Sequence, residues 1–422
     1  TDRVFTLVTV AVALFATTAG LWWAGVGARA DRAEVELGAA RVLTVQAANR
    51  TALLHAVRTA DPGGRDAMAV AADLTAVPPL VAVDSSRLAA VTQWRPEYGD
   101  VATLGRAMAA TAPETPAITG ATLTVTARNH RDDPVQLLVT VQHLTTGAVT
   151  TTAPAWLPPR SEHTVTADVP ACATAPGCRL IRWELAGDEE PSKVAPDVLV
   201  TILGAAQRGP DRTVLDAAAL GDAGRWRSAF RGTGLSVTAE PGALILTSGT
   251  PIGKEVPAPR VYSVDTTLPV PVILAGEAPK QWQFDDPSVF SLGASAVPVQ
   301  VAGRASALPL AGSSGILTDL GVAARMAADG GDSPATFQVW LAEDAPAGVV
   351  PALERAGLTV LADDTMTGRA ARLGQQGFAE GARFALFAAA VGLLLAAAAV
   401  AVALAADRGP HLEQLRSLRV QG

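Results

Sequence analysis

The chain has 422 residues, of which 49% are hydrophobic and only 17% charged, and its net charge is −7. Such an apolar composition excludes an intrinsically disordered chain and is unusual for a soluble enzyme. The acidic balance argues against a nucleic-acid partner, because binding to phosphates needs a basic surface. At roughly 150 residues per domain, the length allows two or three domains.

Two segments account for the high hydropathy. Residues 4–28 carry no charge and lie between Arg3 and Arg29, and residues 384–406 are equally uncharged and follow Arg383. A helix rises 1.5 Å per residue, so each segment is long enough to cross a bilayer. A cleaved signal peptide is the alternative for the first segment, but its apolar run would be about 7–15 residues after a basic leader. We therefore predict transmembrane helices at residues 1–28 and 383–406.

The distribution of charge and cysteine predicts the orientation. The two short ends are net basic and residues 29–382 are net acidic, which favours cytoplasmic ends. Cys172 and Cys178 lie in a polar turn, where a disulfide is favoured over a metal site because only His163 is near enough to be a third ligand. We expect a multi-pass protein of the cell membrane with residues 29–382 extracellular. Since the sequence begins with Thr1 and stops shortly after the second span, we also expect it to be a piece of a longer chain.

The outer portion changes its periodicity along the sequence. Residues 29–116 and 249–382 mix helical and strand patterns, and the second part is predicted to end in a stalk helix. Residues 117–248 instead alternate apolar and polar side chains, which is typical of strands with one buried face. The alternating sets are Leu123 and Val125; Val135, Leu137, Val139 and Val141; Val165, Ala167 and Val169; Ile181, Trp183 and Leu185; and Leu244 and Leu246. The predicted fold class is an α+β membrane protein, in which two transmembrane helices flank a split α/β core with an inserted, jelly-roll-like β-sandwich.

Three predictions for the α/β parts follow from caps and periodicity. Asn49 should cap a helix that reaches Ala60. Residues 316–326 have a helical pattern, and residues 365–383 contain no proline and should continue as one helix into the second span.

No motif in the chain predicts catalysis. The nearest match to a phosphate-binding loop, from Gly249 to Lys254, has the wrong spacing and lacks the following Ser or Thr. The histidines are scattered, and no serine has the spacing of a nucleophile elbow. We therefore predict no catalytic residue, no cofactor, no metal site and no enzymatic activity. Trp156, Trp183 and Trp226 are interpreted as core residues, with a sugar-binding platform on the sandwich as the alternative.

The last segment, residues 407–422, is predicted to form a short amphipathic cytoplasmic helix. Pro410 is suited to a first helical position, and Leu412, Leu415 and Leu418 recur every three residues beside charged side chains. Such a helix either lies on the membrane surface or docks its leucines into a groove of a partner protein.

An amphipathic LExLRxL segment directly after an Ala/Leu-rich span, with a large outer domain between two spans, resembles the FtsX-like (MacB-like) permeases of ABC transporters, in their long actinobacterial form. The resemblance covers both spans, the flanking α/β parts and the final segment. It implies a coupling helix that contacts a separate ATP-binding subunit on the cytoplasmic side. By residue match, that contact falls on Leu412, Glu413, Leu415, Arg416 and Leu418. It also implies membrane lipid as surroundings, and further membrane helices of the same chain or a dimer partner.

The resemblance implies a function of the mechanotransmission type. The permease would relay movement of the ATP-binding subunit to the outer domain, for export or extraction of lipid, lipoprotein or another envelope substrate. The alternative is a two-span, membrane-anchored binding module that recognises cell-wall glycan or a protein partner. That alternative requires exposed aromatic side chains on the sandwich and no role for Leu412 or Leu415.

Overall fold

The computed structural model describes residues 2–109, 116–153, 155–186, 193–194, 197–229, 235–248, 256–257, 260–264, 266–283, 286–290, 292, 296–327, 335–375 and 377–421. The chain forms two compact units, a helix unit (Thr1–Leu37 and Asp364–Gly422) and an outer domain (Gly38–Asp363). The helices of the described residues are α1 (Asp2–Leu37), α2 (Arg50–Ala60), α3 (Leu88–Val91), α4 (Val101–Met108), α5 (Ala217–Leu220), α6 (Leu320–Ala327), α7 (Val349–Arg355), α8 (Met366–Gly374) and α9 (Gly377–Gln421).

The strands fall into three groups along the chain. The first group is β1 (Arg41–Gln46), β2 (Ala67–Asp73) and β3 (Leu80–Val83). The second is β4 (Thr122–Asn129), β5 (Val135–His143), β6 (Val149–Thr151), β7 (Ala155–Leu157), β8 (Glu162–Asp168), β9 (Cys178–Ala186), β10 (Lys193–Val194), β11 (Leu199–Arg208), β12 (Arg212–Leu215), β13 (Trp226–Ser228), β14 (Leu235–Glu240), β15 (Ala243–Ser248), β16 (Val256–Pro257) and β17 (Arg260–Ser263). The third is β18 (Val270–Ala275), β19 (Ser288–Val289), β20 (Val297–Ala305), β21 (Gly315–Asp319), β22 (Thr336–Leu341) and β23 (Thr359–Thr365).

The helix unit is a pair of long helices, α1 and α9, packed along each other, with α8 against α1. Two segments of the pair, Val8–Leu37 and Ala379–Ala405, are long and apolar enough to cross a membrane. Their large apolar side chains face outward, with Leu21 67% and Leu394 70% exposed. Beyond the uncharged run, α1 continues to Leu37, and its residue Ala33 is buried. Leu373 of α8 is buried as well.

The C-terminal helices differ from the prediction in two ways. The predicted single helix from residue 365 is divided, because α8 ends at Gly374 and α9 begins at Gly377. Glycine is a weak helix former, so a pair of glycines favours a break where no apolar face holds the helix. Conversely, α9 passes through Pro410 without a break, although a new helix was expected there.

In the outer domain, the first and third groups of strands form one mixed sheet of the described residues, in the order β19-β20-β18-β21-β3-β2-β22-β1-β23. One face carries α2, α6 and α7 over a core that includes Leu43, Ala69 and Val339. The opposite face carries α3 on β2 and α4 on β18 and β20. Side chains alternate along each strand, so the fully buried Met68 and Trp340 lie on this second face. The sequence on both sides of the sandwich therefore builds one three-layer α/β core.

The prediction of a helix over residues 316–326 is wrong for its first part. Gly315–Asp319 is the central strand β21, parallel to β3 and antiparallel to β18, and only Leu320–Ala327 is helical. Ile316 and Leu317 are fully buried between neighbouring strands. A continuous apolar run gives the same pattern for a central strand as for a buried helix, which explains the error.

The second group of strands forms a two-sheet sandwich, apart from β10 and β16, which pair only with each other. One sheet has the order β14-β15-β11-β4-β8 with β12 beside β11, and the other has the order β13-β17-β9-β5-β6 with β7 beside β5. The predicted alternating residues fill its core with one exception, Ile181, which faces outward and packs with Tyr262. The register between β5 and β9 shifts at this point, so that Leu180 takes the inward position. Because β17 pairs with β9 and β13, the sandwich extends to Ser263, beyond the expected end at residue 248.

Candidate functional site

The two chain connections to the helix unit leave the outer domain at neighbouring strands. Strand β1 begins four positions after α1 ends, and β23 leads directly into α8. These two strands are adjacent at the edge of the sheet. Arg41 joins them, because its Nε donates to Asp363 Oδ1 at 2.9 Å and its Nη2 to Oδ2 at 2.5 Å. We call this end of the sheet, which carries Gly38, Arg41 and Asp363, the connection end.

Gly38 is the residue at which α1 gives way to the sheet, and its backbone tolerates no side chain. Its φ is +74°, in the left-handed region that favours glycine. A Cβ at this position would lie 2.5 Å from Trp340 Cη2 and 2.8 Å from Pro309 Cβ. The connection between α1 and β1 is therefore packed directly against the fully buried Trp340, whose indole N–H donates to Gln338 at 2.9 Å.

The helix unit has its own ion-pair cluster, formed by residues near the end of α1 and in or just before α8. Arg369 of α8 donates to Asp364 at 3.0 Å, and its Nη1 lies 3.8 Å from Glu36 near the end of α1. Arg32 and Arg372 extend the cluster by pairing with Glu36 and Asp364. The cluster connects α8 to the end of α1 through charges that are exposed or half-buried, each pair being worth little alone.

A buried charge network occupies the connection end of the α/β core. Arg58 at the end of α2 makes a bidentate pair with the fully buried Asp84, at 2.9 and 3.0 Å. Arg87 reaches the same carboxylate at 3.3 Å and also Asp61 at 3.2 Å. Asp61 in turn accepts backbone N–H groups of residues 64, 66 and 67. The network fixes the end of α2 to the start of β2 and the end of β3.

The same contacts shift the acidities of the two carboxyl groups. Burial alone would raise the pKa of Asp84, but hydrogen bonds from Arg58 and Ser86 and the nearby guanidinium charges outweigh it and lower the pKa below its usual value. Burial likewise opposes a lowered pKa at Asp61, where the backbone hydrogen bonds and Arg87 prevail. Both groups are therefore charged in the folded protein at neutral pH.

The neighbouring ends of the parallel strands β3 and β21 are also closed by side chains. Ser85 donates its hydroxyl to Asp319 Oδ2 at 2.6 Å, and Asp319 Oδ1 accepts the N–H of Val322 at the start of α6. Carboxyl ends of parallel strands are common ligand sites. Here the carboxylates are already bonded, so the arrangement holds the core together rather than presenting a free acid.

The sandwich docks onto the α/β core at the opposite end of the sheet. Asn49 caps α2 by accepting the N–H of Ala52 at 2.9 Å, and its Nδ2 donates to the carbonyl of Thr146 in the β5–β6 hairpin at 2.9 Å. Gly147, with φ +67°, leaves room for this contact, since a Cβ there would lie 2.1 Å from Asn49 Oδ1. The side chain of Asn49 thus both caps α2 and forms a hydrogen bond with the sandwich.

A second contact between sandwich and core runs through Arg179 and Gln142. Arg179 Nε donates to Gln142 Oε1 at 2.9 Å, and its Nη2 donates to the carbonyl of Arg325 in α6 at 3.2 Å. Gln142 Nε2 lies 3.3 Å from Gly147 O and 3.5 Å from Thr51 Oγ1. Both Gln142 and Arg179 are buried, so the outer face of this sheet is covered where it meets α2 and α6.

The residues singled out by sequence have different outcomes. Cys172 and Cys178 form a disulfide. Within the described residues no group of three metal-ligand side chains is present near His163 or elsewhere. Trp183 and Trp226 lie in the sandwich core with ring centroids 6.5 Å apart, and Trp156 is 43% exposed. The prediction of core residues is therefore confirmed for Trp183 and Trp226, whereas Trp156 alone is exposed, as the alternative of a sugar-binding platform requires.

The segment expected to contact an ATP-binding subunit is helical, as part of α9. The side chains of Leu412, Glu413, Leu415, Arg416 and Leu418 lie outside the described residues, so this expectation stays a prediction. Sequence reasoning missed Arg41–Asp363 and Asn49–Thr146, because each pairs residues far apart in the chain.

A surface cleft of about 590 Å³ lies at one end of the sandwich, between β12, α5 and the turn before β13. Its carboxylates are used as caps, Asp216 for Ala219 N–H and Asp222 for Gly224 N–H. The cleft therefore offers no free acid for chemistry. Comparison of the chain with protein-family models, curated proteins and solved structures found no match.

Proposed function

We propose that the chain is part of the permease subunit of an ABC transporter of the mechanotransmission type. In this proposal α1 and α9 cross the cell membrane, the outer domain is extracellular, and residues 407–422 bind a separate ATP-binding subunit in the cytoplasm. Movement of that subunit is relayed to the outer domain for export or extraction of lipid, lipoprotein or another envelope substrate.

The observation that carries the proposal is the continuity of α9. A single helix, Gly377–Gln421, contains both the apolar segment and the leucine-bearing segment. At 1.5 Å per residue its 45 residues extend about 68 Å, roughly twice the thickness of a hydrocarbon core. A force applied at Leu415 therefore acts on one rigid element rather than on a hinge.

Contacts within the outer domain also support the proposal. Both connections to the helices leave from adjacent strands, which Arg41 and Asp363 tie together. Strand β1 leads after three residues to α2, whose cap Asn49 holds the sandwich. A displacement of β1 thus has a short route through named contacts to the sandwich. The disulfide supports an oxidising, extracellular compartment.

Co-purification of the full chain from membranes with its ATP-binding partner tests the proposal. Leu415→Asp places a charge on the leucine stripe, and Ser417→Asp places the same charge about 200° around the helix. We expect an ATPase to accompany the wild-type chain and the Ser417→Asp variant, and to be lost with Leu415→Asp. If no ATPase accompanies the wild-type chain even after crosslinking, the proposal is refuted and a binding module becomes the leading reading.

A further inference from the structure

The strongest unassigned feature of the helix unit is a tryptophan approached by two arginines from different helices. The guanidinium carbon of Arg29 lies 5.3 Å from the ring centroid of Trp22, and that of Arg383 lies 5.7 Å from the same centroid. The two guanidinium carbons are therefore at most about 11 Å apart. Both arginines are the first charges beyond the apolar segments of their helices.

The position of Arg29 depends on a glycine. Its side chain folds back along α1, so that a Cβ added at Gly25 would lie 3.2 Å from Arg29 Nη1. Side chains of an α-helix tilt toward its N-terminus, which for Arg29 is the direction of the apolar segment. Without a side chain at residue 25, the guanidinium lies one turn closer to the apolar segment than its own Cα.

The two positive charges of Arg29 and Arg383 beside the Trp22 ring favour the binding of an anion. The only carboxylate that the described residues bring to either arginine is that of Glu380, which lies 3.7 Å from Arg383, and both side chains are more than half exposed. One such exposed pair is weak and leaves the site with a net positive charge. Guanidinium groups bind phosphate oxygens through paired hydrogen bonds, and an indole is suited to the boundary between apolar and polar surroundings.

The surface around the site indicates where the phosphate comes from. Trp23, which follows Trp22, is 72% exposed, and Phe384, which follows Arg383, is 74% exposed. A free phosphate gains nothing from these apolar side chains, whereas the acyl chains of a lipid cover them. We propose that Trp22, Arg29 and Arg383 form a binding site for the headgroup phosphate of one anionic phospholipid. The inference rests on the membrane-spanning part of the proposed function, but not on the ATPase.

The test uses the full chain in mild detergent, incubated with equal amounts of phosphatidylglycerol and phosphatidylcholine, and native mass spectrometry of the retained lipid. We expect the wild-type chain to retain mainly phosphatidylglycerol. Arg29→Gln and Arg383→Gln should each lower the ratio of the two lipids about fivefold. Gly25→Leu, which keeps both charges but obstructs Arg29, should lower it as well.

Arg32→Gln is the matched control, since Arg32 lies on the same helix and is already paired with Glu36 at 2.7 Å. It should leave the lipid ratio unchanged. Equal retention of both lipids by the wild-type chain, or an equal effect of Arg32→Gln, overturns the site alone. Displacement of the lipid by millimolar glycerol phosphate overturns a lipid ligand in favour of a soluble one. If no lipid of either kind is retained, the membrane-spanning proposal fails too.

Discussion

The guanidinium of Arg41 bonds both carboxylate oxygens of Asp363, so the first residue of β1 is paired with a residue 322 positions later in the chain. The hydrogen bonds raise the pKa of Arg41 and lower the pKa of Asp363, and both groups are charged at neutral pH. The pair joins the strand that receives α1 to the strand that leads to α8. It is a direct side-chain link between the two strands at which the outer domain connects to the helices.

Breaking this pair should affect coupling more than stability. Its side chains are about 40% exposed, so Arg41→Ala should change the free energy of unfolding by only about 0.5 kcal/mol. We expect the same substitution to reduce ATP-driven transport several-fold, because β1 and β23 stay paired in the sheet but lose the side-chain link next to the two connections. The exchanged pair Arg41→Asp with Asp363→Arg should restore transport. A loss of transport that the exchange does not reverse would show that the pair itself is not required.

Gly38→Ala should be strongly destabilising. The substitution forces a side chain into a left-handed backbone and against Trp340, with an expected cost of about 3 kcal/mol. Gly27→Ala is the matched control on α1, since a Cβ there meets nothing within 4 Å. Thermal unfolding of the full chain in detergent should show a lower midpoint for Gly38→Ala only. Equal midpoints for the two variants would contradict the packing described at this connection.

The buried network at the connection end predicts a dependence of stability on acid. Asp61 and Asp84 have lowered pKa values in the folded protein, so their contribution is complete above about pH 4, the unfolded value. It is lost as the pH falls through the folded values below that. Asp84→Asn should cost about 1–3 kcal/mol at neutral pH, because the buried Arg87 keeps Asp61 but loses its second carboxylate, and should flatten the acid dependence.

Asp132 is the matched control for this prediction. It also pairs with an arginine, Arg160, and its pKa is also lowered, but both side chains are exposed. Asp132→Asn should leave the midpoint of thermal unfolding close to that of the wild-type chain, both at neutral pH and below about pH 4. An acid dependence that Asp84→Asn does not alter would remove the network as its source.

The two roles of Asn49, the cap of α2 and the hydrogen bond to Thr146, can be tested separately. Asn49→Asp keeps the oxygen that caps α2 and loses the donor to Thr146, whereas Asn49→Ala loses both. Losing the cap costs about 1 kcal/mol, which Asp100→Ala measures independently at α4. We expect Asn49→Asp to leave α2 intact and to increase proteolytic separation of the sandwich from the α/β core. If only Asn49→Ala has an effect, the contact with Thr146 does not hold the sandwich.

The disulfide should contribute a modest part of the stability of the sandwich. It closes a short loop between residues six positions apart, and the loss of loop entropy in the unfolded chain is worth about 2 kcal/mol. The double substitution Cys172→Ser with Cys178→Ser should lower urea stability by that amount. His143, which contacts Thr174 inside the loop at 3.2 Å, should then become more accessible to modification. Unchanged stability would show that the loop is ordered without the bond.

Local patterns in the sequence predicted much of the secondary structure, for identifiable reasons. The cap at Asn49 and the end of α2 at Ala60 follow from nearest neighbours and agree with the structure. The helix predicted to begin at Ile316 was wrong, because a strand buried on both faces has no periodicity that distinguishes it from a helix. Ile181 was assigned to the wrong face because the shift in register depends on the partner strand. Both inter-strand and inter-domain contacts, such as Arg41–Asp363, need the tertiary structure.

The most direct test of transmission through α9 measures whether ATP binding changes the hydrogen exchange of β1. In the complex of the full chain with its ATPase, hydrogen exchange of residues 38–46 should change when ATP is added. Insertion of three glycines after Ala406 breaks α9 between the apolar segment and the leucines, and should abolish that change while the ATPase stays bound. A response to ATP that survives the insertion, or its absence from the wild-type complex, would contradict transmission through α9.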